Sequence, residues 1–300
     1  MDRLEALAFF MRIVEKGGVA AAGREFGLSP ATASERLAAL EGHYGTTLLN
    51  RTTRSVSLTE AGRMLMEGAE PLIADAQDLE GRIKYGAETL SGWIRLSAPE
   101  DFGSTRLTPV IDKFLEQNPK IMIELRLSDD YLDLSSQGLD LAIRLGALKD
   151  SSLIVRKLGN NHRIICASPE YLKAFGTPVH PDELLDHNCL IMRQGSVIDQ
   201  GWRFTVEGKS RFIIVSGNRM SNSGLEVRKW CLAGQGIALK STWDVGEDIK
   251  EGRLIELLRG FEPQSESAMQ IIYPGSGKPS RRVRALIDFL VENLSQRRLA

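Results

Sequence analysis

Three cysteines in 300 residues, Cys166, Cys189 and Cys231, are too few and too widely spaced for a disulfide framework or a zinc site. Each sits beside apolar residues and reads as a buried core thiol in preference to a redox sensor. The four histidines, His43, His162, His180 and His187, show no metal-pair spacing and no motif-level nucleophile partner. A phosphate-cradling GxxxxGK[ST] loop and a GxSxG elbow are both missing. Gly234-Gln235-Gly236 follows a helical stretch, the reverse of a dinucleotide loop. These gaps argue against an enzyme, and the chain is read as having no catalytic residue, no metal site and no cofactor. No apolar run approaches the roughly 20 residues of a membrane span. The charged start, Met1-Asp2-Arg3-Leu4-Glu5, is unlike a signal peptide, so a cytoplasmic location is expected. An excess of positive charge is absent too: the formal net charge is −1. DNA binding, if present, must therefore rest on local pattern.

What is present is organised in two styles. Hydrophobic residues make up 42% of the chain, enough for two domains, or a small module followed by a larger one. Up to about residue 60 the pattern is helical. Leu4, Leu7, Phe10, Met11 and Val14 share one face, and Gly17-Gly18 ends that helix. An alanine-rich helix follows from Val19 to Phe26. Gly27-Leu28-Ser29-Pro30 then breaks the chain and starts a third helix running to about Glu41, with Ser29 as its cap and Pro30 at its first position. Gly42 to Thr59 carries Arg51 and Arg54 and no acid, and its alternating end suits a short β-wing. After Thr59, a helix is expected to reach residue 90. Leu65, Ala69, Leu72, Ala76, Leu79, Ile83 and Leu90, with Gly86 in one slot, form a heptad seam that fits a partner helix. From Trp93 onward short β-rich runs alternate with helical ones, which predicts an α/β domain with mostly parallel sheets.

Two short helices joined by a glycine-containing turn form the unit that lays its second helix in a major groove. On that second helix Ser29, Pro30, Ala31, Thr32, Ser34, Glu35 and Arg36 occupy the first turns. Small and hydroxyl side chains permit close approach to base edges, Arg36 suits a guanine or a phosphate, and Glu35 can accept from a cytosine amine. Arg51 and Arg54 suit phosphates or the minor groove. On pattern alone, a small helical bundle with packed alanine faces remains the alternative.

The run Val19-Ala20-Ala21-Ala22-Gly23-Arg24-Glu25-Phe26-Gly27-Leu28-Ser29-Pro30-Ala31-Thr32-Ala33-Ser34 resembles the reading head of LysR-type transcriptional regulators. So do Leu40-Glu41, Tyr44-Gly45, Leu48 to Arg54 and Leu58-Thr59-Glu60-Ala61-Gly62, and the likeness continues to the C-terminus. The resemblance implies an N-terminal all-α winged helix-turn-helix (1–59) and a linker and dimerisation helix (60–90). It also implies an α/β effector domain (91–300) of two lobes, like a periplasmic solute-binding protein. The first lobe is expected to hold 91–162 plus 268–300, the second 163–267. Implied partners are promoter DNA, a small-molecule effector, further copies of the chain as a dimer or tetramer, and RNA polymerase. The chain departs from the family pattern at Gly18, where Ser is common, and at Glu35, which is expected to contact a base or pair with Arg36.

In the implied cleft, Glu100–Ser104 and Asn222–Gly224 begin helices whose free N–H groups suit an anion. The expected effector contacts are Asp101 and Asp130, implied by the resemblance, with Phe102, and Asn222 and Ser223 at the second helix start. Arg144 is a two-pronged clamp for a carboxylate or the partner of a nearby acid. Asp101 and Asp130 stand where the family often has hydroxyl residues, so the ligand's charge stays open: Asp101 either caps its helix or accepts from ligand hydroxyl or amine groups. Ser241 replaces a usual proline, and a local loop change is expected there. Two competing readings are a ligand-independent architectural DNA binder and an enzyme on a periplasmic-binding fold. If the wing is placed correctly, Arg51→Ala weakens binding to every DNA sequence and flattens the salt dependence, as fluorescence anisotropy across a salt series would record.

Overall fold

The first helix starts at Asp2, whose carboxylate accepts from the Leu4 N–H at 3.2 Å, and stops at Gly17 in the left-handed region. The computed structural model describes residues 2–51, 56–130, 134, 137–146, 153–261, 263, 267–275 and 278–294, without the side chains of Arg51, Pro71 and Ser267. Helices α1 (Arg3–Lys16), α2 (Val19–Glu25) and α3 (Pro30–Tyr44) pack around Phe9, Phe10, Ile13, Ala22, Ala33, Leu37 and Leu40. Strands β1 (Leu49–Arg51) and β2 (Val56–Leu58) pair antiparallel as the expected wing. The wing's turn, residues 52–55 with Arg54, lies outside the described residues.

Helix α4 (Glu60–Tyr85) is capped by Thr59, whose hydroxyl accepts from the Gly62 N–H at 3.0 Å. Gly62 is required by crowding, because a Cβ there would collide with the Leu48 carbonyl. The helix ends five residues short of the expected 90. Gly86 adopts φ 101, which breaks the helix, and Leu90 turns into the core of the domain that follows. Along the expected seam Ala69 is buried, whereas Leu72, Leu79 and Ile83 are exposed. Buried Arg282 ties α4 to the next domain, donating to Gln77 Oε1 at 3.2 Å and to the Trp93 carbonyl at 2.8 Å.

Two sheets follow. The first draws on β3 (Gly92–Ala98), β4 (Ile121–Leu127), β5 (Leu141–Leu145), β6 (Leu153–Asn161) and the late β15 (Ser267–Pro274), in the order β4-β3-β5-β15-β6. The helical run after β3 comprises α5 (Glu100–Phe102), a π-helical turn (Gly103–Leu107) and α6 (Thr108–Gln117). The second sheet takes β7 (Arg163–Ala167), β8 (Cys189–Gln194), β12 (Arg219–Ser221), β13 (Ile237–Ser241) and β14 (Ile255–Leu257), in the order β12-β8-β13-β7-β14. Strand β9 (Val197–Asp199) adds to β8, and β10 (Gly201–Val206) pairs with β11 (Lys209–Ile214) as a separate hairpin. Helices α7 (Pro169–Phe175), α8 (Gly224–Leu232), α9 (Thr242–Lys250) and α10 (Arg281–Leu294) complete the chain.

The sheets are mixed, where mostly parallel ones were expected. Strands β3, β4 and β5 are parallel, but β15 runs antiparallel to both β5 and β6, and β7 antiparallel to β13 and β14. The reversed strands include β7, which carries the chain into the second sheet, and β15, which brings it back to the first; β6 runs the same way as β5. All three cysteines are buried and free.

Where α4 meets the first sheet, a cavity of about 70 Å³ is lined by Glu70, Asp140, Tyr273, Lys278 and Val283, among others. Burial, and then the charge of Asp140, push the Glu70 carboxyl up to about 7. Below its ordinary value of 4.5 the folded and unfolded chains both hold this proton. Between there and about 7 only the folded chain does, so stability falls as pH rises through that window. Glu70→Gln is expected to flatten this dependence, leaving the melting temperature unchanged near pH 4 and raising it near pH 8. The gain is up to roughly 3 kcal/mol, and thermal melts across that pH range would show it.

Candidate functional site

One face of α3 is bare. Ser29, Pro30, Ala31, Thr32, Ser34 and Glu35 are exposed, while Ala33, Leu37 and Leu40 pack inward on the opposite side. Ser29 caps the helix by accepting from the Thr32 N–H at 3.2 Å, and the Ser34 hydroxyl folds back on the Pro30 carbonyl at 3.0 Å. Ala38 and Ala39 are exposed too and were missed from sequence, although small residues next to the named ones were the available signal. Arg36 is half-buried and pairs with Glu5 of α1 at 2.8 Å. Of the two roles expected for Glu35, the pair with Arg36 does not form, because residue 36 turns toward α1 while residue 35 faces outward. The backbone of Arg51 lies in β1.

Between the two sheets lies a cleft with a cavity of about 250 Å³. Asp101, Asp129, Leu145, Gly146 and Asn161 line it from the first lobe; Arg163, Met192, Gln194, Asp199, Gly224, Leu239, Lys240, Ser241 and Asp244 line it from the second. Asp101 is 2% exposed and reaches across the cleft. Its carboxylate accepts from Lys240 Nζ and Arg228 Nη1, both at 3.1 Å. Burial, and after it the charge of Asp244, push the Asp101 carboxyl upward despite these two cations. Lys240 is also buried; it pairs with Asp244 at 3.1 Å and donates to the Gly224 carbonyl at 2.8 Å. Burial works against its charge, but Asp244 and Asp101 outweigh that and hold it above the usual lysine range.

The two helix N-termini expected to receive an anion do face each other, and they already hold one. Asp129 accepts from the Glu100 N–H at 3.0 Å and from the Gly224 N–H at 2.6 Å, so one side chain caps a helix on each lobe. Ser223, named as an effector contact, caps α8 by accepting from the Glu226 N–H at 3.1 Å and donates to Glu100 Oε2. Asp130 sits at the rim, accepting from the Gly195 N–H at 3.3 Å across the cleft. Asn222 is exposed and does not line the cavity.

Two named residues are placed in the body of the first lobe and not in the cavity wall. Phe102 is fully buried, its ring edge-on to Trp243 with centroids 5.7 Å apart. Arg144 is 5% exposed; it donates to Ser97 Oγ at 2.6 Å and to the Ile143 carbonyl at 2.8 Å. Strand alternation sends it to the side of the sheet that buries Ala142 and Ile272. Ser241, in the place of a usual proline, ends β13 and caps α9 by accepting from the Trp243 N–H at 3.1 Å. Asp129, Asp199, Lys240 and Asp244 were missed because lysines and aspartates at strand ends read as solvated charge. No group that could hold a metal ion occurs among the described residues.

The head and the first lobe meet directly. Glu15 of α1 lies 3.8 Å from Arg95 Nε on β3 and 3.5 Å from Arg126 Nη2 on β4. Both arginines also pair with Glu124, at 3.3 and 2.8 Å.

Residues 4–63 match the model of the bacterial regulatory helix-turn-helix proteins of the lysR family, and residues 87–295 match that of the LysR substrate binding domain. The HTH-type transcriptional regulator DmlR of Escherichia coli K12 is 34% identical over 288 residues, covering 96% of this chain and 93% of that protein. The transcriptional activator TtdR of the same strain is 31% identical, with 97% and 93% covered. Among solved structures, CrgA of Neisseria meningitidis, a LysR-type regulator, superposes with a TM-score of 0.64 at 31% identity, covering 97% of this chain and 99% of that one. With a bare helix-turn-helix face at one end and a polar cleft between two lobes at the other, the chain belongs to the LysR family of DNA-binding transcriptional regulators that carry an effector-binding domain.

Proposed function

We propose that this regulator reads double-stranded promoter DNA with Ser29, Pro30, Ala31, Thr32, Ser34 and Glu35, with Arg36 beside them. Arg51 and Arg54 hold the flanking phosphates or minor groove. The observation that carries the reading is the exposure of that whole face on a helix whose opposite face is closed by apolar packing. A helix presented in this way fits a major groove, and its small side chains admit base edges. In this reading residues 1–59 form the DNA-binding domain and 60–90 the linker. Two copies pair along α4 through Leu72, Leu79 and Ile83, the exposed part of its apolar seam. That pairing sets two heads on half-sites about 34–36 Å apart, and a tetramer joins two such pairs. The protein acts in the cytoplasm, bound to an operator and within reach of RNA polymerase, and carries out no catalysis.

The cleft between the lobes, within 91–300, is the effector site of this proposal. Asp101 is its central contact and Asp130 stands at its rim; Phe102 and Arg144 act from within the first lobe behind it, and Asn222 and Ser223 from the start of α8. A ligand that loosens the Asp101–Lys240 and Asp129–Gly224 contacts changes how the lobes sit on one another. Glu15 then transmits the change, since its partners Arg95 and Arg126 stand on β3 and β4 of the first lobe. Coupling of about 1–3 kcal/mol is enough for a 5–150-fold change in DNA affinity. The test is Ser34→Glu, which adds a negative charge to the reading face without touching the core. It is expected to lower affinity for the protein's own upstream DNA at least tenfold with the melting temperature unchanged. Wild-type-like binding by the variant in a mobility-shift titration would remove α3 as the reading helix.

A further inference from the structure

The cleft offers a ligand carboxylate very little that is not already committed. Helix N–H groups are the ordinary seat of a small anion, and here Glu100 N–H and Gly224 N–H are both taken by Asp129. Lys240 is shared among Asp101, Asp244 and the Gly224 carbonyl, and Arg163 is paired with Asp199 at 2.7 Å. Among the described lining residues four carboxylates, Asp101, Asp129, Asp199 and Asp244, face two cations, Arg163 and Lys240. Adding Arg228, which reaches Asp101 from outside the cavity, still leaves one negative charge in excess. Asp199 and Asp244 each engage one oxygen with those cations, and the second oxygen of each has no partner among the described residues. Among the described residues Arg163 also keeps Nε and Nη1 without a partner, so spare acceptors and donors are both present, and the bias toward a cation rests on the excess of carboxylates. In a space of low effective dielectric, a like charge is repelled strongly at short range.

Building on the reading of this cleft as the effector site, we propose that its ligand is a small organic amine, held through its ammonium group by the cleft carboxylates, and not a carboxylate anion. The amine adds a cation where the wall carries surplus negative charge, and it competes with Lys240 and Arg228 for the acids that bridge the lobes. Asp129 is then a built-in counterpart of the anionic ligand, filling the seat from within.

Three probes of matched length test the assignment on the full-length protein by calorimetry: 1,4-diaminobutane, 1,4-butanediol and succinate. Low-salt buffer keeps the charge contribution least screened. The diamine is expected to bind, with the diol much weaker and succinate silent. Asp199→Asn, and separately Asp244→Asn, are expected to weaken diamine binding about tenfold or more, with unchanged circular dichroism showing that the fold is intact. Succinate binding that Arg163→Met abolishes, with the diamine silent, overturns the amine assignment while leaving the cleft as the effector site. Diol binding equal to that of the diamine also overturns it, as does silence toward all three probes. Diamine binding that neither Asp199→Asn nor Asp244→Asn changes overturns the assignment and the cleft reading together.

Discussion

Lys240 places a full positive charge inside the molecule, between Asp101 of one lobe and Asp244 of the other. Taking such charges out of water costs several kcal/mol for each ion, and close geometry with good hydrogen bonds offsets it. The arrangement is therefore better understood as a device for fixing geometry than as a source of stability. Lys240 sits on β13 in the middle of the second sheet, so its position is set by the sheet. Asp101 follows β3, an interior strand of the first. Bringing the two within 3.1 Å fixes how the lobes face each other. Arg228 and Asp248 extend the chain of charges: Arg228 Nε donates to Asp248 at 2.6 Å, and Arg228 and Arg253 together outweigh burial to hold that carboxyl below its usual range.

The same principle, charge fixed by charge across a boundary, recurs where the head meets the sensor. Glu15, Arg95, Arg126 and Glu124 join α1 to the first sheet, and Arg282 ties α4 to the start of that sheet. Polar contacts of this kind have a defined geometry and a modest net strength. They can be exchanged without opening an apolar core, which is what a protein that moves between arrangements needs. Apart from Trp243, the apolar cores keep to the units: one around Phe9 and Phe10, one around Ile94 and Phe114, and one around Trp202 and Phe204.

Much of this was legible in the residues. The helical head, its Ser29 cap, the wing and the strand–helix alternation all follow from apolar periodicity and turn chemistry, which are local signals. Helix α9 was not read, because Gly246 and its scattered charges hide the period. Strands β9, β10, β12 and β14 escaped as well; three of these are only three residues long, and β10 pairs only within its own hairpin. The cleft was expected between two helix N-termini, yet the side chain that fills them was not foreseen. That Asp129 would cap both helices depends on a contact across 95 positions of sequence, which no spacing reveals. Phe102 was misjudged for a related reason: its neighbour Trp243 comes from beyond the far end of the second sheet's central strand.

Trp243 also bears on how the sensor is built as an object. It opens α9, next to the second sheet, but its ring is 4% exposed and belongs to the first lobe's core, beside Phe102. Its indole N–H donates to the Asn160 carbonyl at 3.0 Å, one residue before the end of β6. Each lobe is thus incomplete by itself: the first lacks a large aromatic side chain, and the second has one projecting from it. The halves are not modules that evolution can shuffle. A chimera that grafts the second lobe of a relative onto this first one inherits a socket cut for a tryptophan, and position 243 decides whether the graft fits.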